Sequence, residues 1–93
     1  MIRLNCFVSV KEENRNEVLE AARRLTAASQ KQAGCIAYDI FESATRPEVL
    51  MFCETWKDQE SLDAHATSDV FVKETTIIHQ LAYLKIERLS FDR

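Results

Sequence analysis

The chain predicts an α+β sandwich, a four-stranded antiparallel sheet with helices on one face, folded as a single domain over residues 1–93. Three observations predict it. Apolar residues alternate in three stretches, and a fourth short stretch is apolar on both sides; all four read as strands. Helical runs separate them in the order β-α-β-β-α-β, two split βαβ units that make the ferredoxin-like arrangement. The length of 93 residues fits one domain, and 46% hydrophobic content with one Gly and one Pro argues for a packed fold over disorder.

Ile2–Val10 places Ile2, Leu4, Cys6, Val8 and Val10 on one side and Arg3, Asn5, Phe7 and Ser9 on the other, the period of a strand. Lys11–Asn14 is a charged loop. Asn14 with Glu17 approximates a capping box for the first helix. Val18, Ala22, Leu25 and Ala28 or Ser29 then share a helix face, while the alanines favour helix and allow close approach to a sheet. Gly34 terminates that segment. Cys35–Glu42 is the second strand, with Ile36, Tyr38 and Ile40 opposite Cys35, Ala37 and Phe41. Ser43–Glu48, containing Pro47, is a hairpin-length turn. Val49–Trp56 is apolar on both sides, the pattern of a strand covered on both faces. Asp58 caps a short helix on which Leu62 and His65 share a face. Ser68 and Asp69 break it and cap a second run over about Val70–Ala82. Tyr83–Phe91 alternates as the last strand.

A domain of this size buries only about 60–65% of its unfolded surface and is marginal alone. Helices cover one face of such a sheet, yet the third strand is apolar on both, and Tyr83, Leu89 and Phe91 also need cover. The second face is therefore expected to meet another copy of the chain as a homodimer. A net charge of −3 without a basic stripe argues against nucleic acid as a partner. No stretch approaches the roughly 18 apolar residues of a membrane helix, and Ile2–Val10 lacks the cleavage site of a signal peptide, so a cytoplasmic, non-membrane protein is expected. Cys6, Cys35 and Cys53 have no metal-ligand spacing and read as free, buried thiols of a reducing compartment. The absence of a glycine-rich loop removes phosphate cradles, and two lone histidines, His65 and His79, make a poor metal site.

The residues with most chemical content follow the third strand. His65 is either a proton acceptor in a pocket or a helix-surface residue bonded locally. Trp56, at the strand end, is core, pocket wall or both. Asn5 sits in mid-strand, where Asn is disfavoured; it lies on a solvated face or points under the helices as an orienting donor.

The whole chain resembles the antibiotic biosynthesis monooxygenase family of small dimeric α+β barrels. The resemblance rests on the element order, Gly34-Cys35 leading into Tyr38, the Glu54-x-Trp56 strand end, and His65 after Leu62. It implies a dimer with each pocket between one subunit's helices and its sheet. Some members oxidise hydroquinone-like or polycyclic phenols with molecular oxygen and no metal, flavin or haem, so no cofactor is expected. Their substrate is its own electron source once a proton has been removed and the anion stabilised. By this resemblance His65 would be the base or hydrogen-bond partner, Asn5 would orient oxygen or the oxyanion, and Trp56, Phe52 and Phe71 would wall the ring. Haem-degrading members also have Asn in the first strand, and Ser68-Asp69-Val70-Phe71 resembles their helix. They carry Trp where this chain has His65, however, and the haem-ligating His where it has Thr75. Members that isomerise a small phosphorylated dione share the Glu and His but carry a second His at the position of Val70, as many quinol-oxidising members also do. The expectation is a cofactor-independent monooxygenase of a quinol-like or polycyclic phenolic molecule. The alternatives are an isomerase of small carbonyl or phospho-dione compounds in the same pocket, and a non-catalytic ligand-binding or stress-related barrel. An enzyme requires His65 and Asn5 to face one cavity with room for a ring.

Overall fold

The computed structural model describes residues 1–92. The elements are β1 (Ile2–Val10), α1 (Glu12–Ser29), β2 (Cys35–Glu42), β3 (Val49–Trp56), α2 (Gln59–Ala66), α3 (Asp69–Leu81) and β4 (Ala82–Ser90). The strands form one antiparallel sheet in the order β2-β3-β1-β4, the ferredoxin-like topology expected, with the second helical segment broken into α2 and α3.

Parity along the strands builds the core. Ile2, Cys6, Val8 and Val10 of β1 and Leu50, Phe52 and Trp56 of β3 are buried on the helix-covered side. Val18, Ala21, Ala22 and Leu25 of α1 and Ile78 of α3 pack down onto them. Arg24 on α1 donates two hydrogen bonds of 3.0 Å to the buried Glu74 on α3, tying the helices that roof the sheet.

The first helix starts earlier than its sequence signals suggest. Glu12 opens it, Lys11 stands at the cap without a side-chain bond, and Asn14 lies inside the first turn, where its N–H meets the Lys11 carbonyl at 3.0 Å. Glu12 and Glu13 supply the negative charge that the positive end of a helix favours, in place of an Asn cap. Both later caps form as expected: the Asp58 carboxylate accepts from the Ser61 N–H, and the Ser68 hydroxyl accepts from the Phe71 N–H.

In β2 the strict alternation fails at its first residues. Cys35 pairs with Trp56 and Ala37 with Thr55, so Ile36 is an extra, bulged residue. The bulge turns Cys35 toward the core and leaves Ile36 half exposed, the reverse of the alternation read from sequence. β4 begins at Ala82, immediately after α3. No helix among the described residues is long and apolar enough to cross a membrane.

Candidate functional site

A cavity of about 310 Å³ lies between the helix-covered side of the sheet and the roof of α2 and α3, at the small end of the range for small-molecule pockets. Its walls are mostly apolar, with Cys6 from β1, Phe52 from β3, Leu25 from α1, and Phe71 and Ile78 from α3. Polar groups gather in two places. Tyr38, Glu54 and His65 are buried at the floor, and Gln59, Asp63 and His79 are exposed at the mouth.

The Asp58 cap fixes where α2 begins, and that start turns Leu62 and His65 inward together. The His65 imidazole is enclosed by rings: Trp56 at 4.5 Å, Phe71 at 5.0 Å and Tyr38 at 5.4 Å between centroids. Its Nδ1 lies 2.7 Å from Gln32 Oε1 in the α1–β2 connection and 3.5 Å from Ser29 Oγ. Its Nε2 is buried without a hydrogen-bond partner and stands 3.8 Å from Glu54 Oε1. Glu54 in turn accepts a 2.8 Å bond from the indole N–H of Trp56 and pairs with the Tyr38 hydroxyl.

This floor disfavours charge. Burial lowers the His65 pKa to about 4. Burial raises Glu54 despite its bonds from Trp56 and Tyr38, which act the other way. Burial, and then the Glu54 charge, push the Tyr38 phenol well above its usual range and the Cys6 thiol up to about 11. A ligand therefore meets His65, Tyr38 and Cys6 in their neutral forms. The His65–Glu54 pair can take one additional proton, because an imidazolium formed at Nε2 would face a carboxylate 3.8 Å away.

His65, Phe52 and Phe71 line the cavity. Trp56 lies behind it: fully buried, stacked on His65 and bonded to Glu54, it orients both and does not wall a ring. Asn5 is not brought to this site. It faces away from the helices on the side of Arg3 and Phe7, opposite Cys53 on β3 and Glu87 on β4. The physical reason is strand parity, since the inward positions of β1 belong to Leu4 and Cys6. Thr75 reaches the cavity, but its hydroxyl donates to the Phe71 carbonyl at 2.6 Å. Among the described residues no three His, Cys, Asp or Glu side chains cluster as a metal centre would require.

Sequence reasoning missed Gln32, Ser29, Tyr38 and the chemical part of Glu54. Glu54 carried a visible signal, a carboxylate at an inward position of a strand otherwise apolar there. Gln32 and Ser29 carried none, because their nearness to His65 depends on how the end of α1 packs against α2.

Comparison with known proteins agrees with this architecture. The family pattern described as "Antibiotic biosynthesis monooxygenase" matches residues 1–73. A Bacillus subtilis protein named "Putative monooxygenase YcnE" is 34% identical over 65 residues, covering 70% of this chain and 68% of that protein. A Bacteroides thetaiotaomicron structure, described as a conserved protein of unknown function and possible oxidoreductase, superposes with a TM-score of 0.95 at 52% identity over 97% of this chain and 96% of that one. A Nitrosomonas europaea structure named for the same family shares the fold, with a TM-score of 0.92 at 20% identity over 98% of each chain. With the fold, the Glu54-x-Trp56 strand end and the buried His65 in place, this chain belongs to the antibiotic biosynthesis monooxygenase family.

Proposed function

We propose that the protein is a small-molecule monooxygenase that oxidises a quinol-like or polycyclic phenol with molecular oxygen, without metal or flavin. The observation that carries this reading is the unpartnered, buried Nε2 of His65 on the floor of an aromatic-lined cavity. A buried imidazole nitrogen without a partner is costly unless a ligand supplies one. A phenolic hydroxyl supplies it.

In this reading the ring enters uncharged between Phe52 and Phe71, and its hydroxyl donates to Nε2. The proton passes to His65 as the phenolate forms, and Glu54 balances the imidazolium. The Tyr38 hydroxyl, once turned from Glu54, is the floor group that would donate its one proton to the anion. The electron-rich anion reduces oxygen: one oxygen atom enters the ring as a carbonyl, the ring gives up two hydrogens and becomes a quinone, and those hydrogens leave with the second oxygen atom as water. Asn5, on the far side of the sheet, has no part in this scheme; the expected sharing of one cavity by His65 and Asn5 is not met, and the reading rests on His65 and Glu54 without it.

The test is oxygen uptake against a panel of hydroquinones and naphthols without added metal or flavin. His65→Ala is expected to lower turnover of an accepted substrate by about 10²–10⁴-fold, the usual contribution of a general base. Unchanged turnover in that variant would remove His65 from the chemistry. The adjacent proton-handling groups at 3.8 Å also favour a second reading, proton transfer within a small carbonyl compound by an isomerase. Conversion of such a compound without oxygen consumption would select it.

A further inference from the structure

We infer that Gln32, held by Ser68, is a positioning residue that fixes His65 in the tautomer whose Nε2 is free to accept a proton. The inference rests on the reading of His65 as proton acceptor, and the hydrogens available around Ser68 and Gln32 decide it. The Ser68 hydroxyl has one proton, and it is committed to the His65 carbonyl at 2.7 Å. Toward its other neighbours Ser68 Oγ can only accept. It accepts from the Phe71 N–H at 3.3 Å and from the Gln32 amide at 3.2 Å. The Gln32 group facing Ser68 must therefore be its NH₂, which turns the amide oxygen toward His65. That oxygen lies 2.7 Å from Nδ1, so Nδ1 carries the hydrogen and Nε2 carries the lone pair.

The opposite tautomer is disfavoured at the Nδ1 end of the ring and gains no hydrogen bond at the Nε2 end. It would set the Nδ1 lone pair against the Gln32 oxygen at 2.7 Å and aim an N–H at Glu54 from 3.8 Å, beyond hydrogen-bond reach. Ser29 does not reverse this, because its oxygen is 3.5 Å from Nδ1, at the limit of hydrogen-bond reach, against 2.7 Å for the Gln32 oxygen. One hydroxyl at the α2–α3 break thus sets, through one amide in the α1–β2 connection, which nitrogen of the imidazole is basic.

The experiment is nitrogen-15 NMR of the resting protein labelled at histidine, in a His79→Gln background so that a single imidazole is observed. The expected spectrum shows the Nδ1–H form in excess of the other neutral tautomer by at least about tenfold, from one added hydrogen bond and one avoided repulsion. Gln32→Leu is expected to erase that excess and move the population toward the Nε2–H form that free histidine favours. Gln32→Glu, which keeps an acceptor at Nδ1, is expected to retain the Nδ1–H form and raise the titration point of the ring. An Nε2–H form in the parent protein, or a Gln32→Leu spectrum identical to the parent's, overturns the assignment. Because no substrate is present, these outcomes are separate from the oxygen-uptake test. A confirmed tautomer with no oxidase activity would remove the proposed reaction and leave the positioning intact.

Discussion

At the scale of single residues, His65 makes the stability of the protein depend on pH. Its pKa falls from the ordinary 6.5 to about 4 on folding, through burial, so between those values the unfolded chain binds the extra proton. The stability contributed by the neutral form is complete above about pH 6.5 and is lost as pH falls toward 4. From pH 7.5 to 4.5 the loss amounts to about 2–3 kcal/mol. Urea unfolding of the parent and of His65→Leu at those two pH values should show the parent's relative stability dropping by about that amount. Equal changes in both proteins would mean that the imidazole is not held neutral. Glu54 acts in the opposite sense, since its raised pKa makes its contribution fall as pH rises through the carboxylate range. His65 was legible in sequence because a helix start, a face and a nearby strand end all pointed at it. Asn5 took its orienting role from the family resemblance; its strand parity, visible in sequence, set it on the face opposite Leu4 and Cys6, where the structure has it.

At the scale of elements, the connection between α1 and β2 is more than a terminator. Gly34 has φ +79°, and a Cβ built there would stand 2.0 Å from Ser61 Oγ and 2.4 Å from Ser61 Cβ. Its carbonyl also accepts from the Lys57 N–H at 2.8 Å, so the start of β2 is seated against the start of α2. Gly34→Ala therefore combines a backbone cost of about 1 kcal/mol with a clash that must push α2, the helix of His65, away from the sheet. Gly34→Ala is expected to destabilise by more than about 2 kcal/mol, and Ser61→Gly in the same chain should restore the steric part but not the backbone part. A double-mutant cycle in urea checks this; a Gly34→Ala cost below about 0.5 kcal/mol would refute the seating. The same connection shows where reading from sequence stops. A glycine after a helix announces a terminator, but neither its contact with Ser61 nor the bulge at Ile36 has a local signature. Both are set by how β2 and α2 meet.

At the scale of the whole molecule, the side of the sheet away from the helices is unusually apolar for an open surface. Phe41, Met51 and Phe7 form a row across β2, β3 and β1, and Tyr83 and Leu89 of β4 add 79% and 56% exposed side chains. Val49 and Cys53 extend the apolar area on β3, whereas the row of Asp39, Cys53, Asn5 and Glu87 is largely polar. A second copy packed on this face would bury what a small domain cannot cover by itself. Sedimentation equilibrium at micromolar concentration is expected to give twice the 10.7 kDa chain mass, and Met51→Glu to give the single mass with its fold retained. A monomeric parent protein would end this expectation. The sheet and its helical roof were legible because period two and periods of three to four separate cleanly along this chain. The site floor was legible only in part, because Gln32 and Ser29 belong to it through tertiary packing alone.

Trp56 has a consequence for observation. It is the only tryptophan in the chain, and its indole lies 4.5 Å from the His65 ring and 2.8 Å, nitrogen to oxygen, from Glu54. Imidazolium quenches indole emission by accepting an electron from the excited ring, and neutral imidazole does so far less. A proton arriving at His65 should therefore dim the protein's own fluorescence within the excited-state lifetime. The fold has placed its one long-wavelength emitter where the proposed first chemical event can be timed by light, with no label attached.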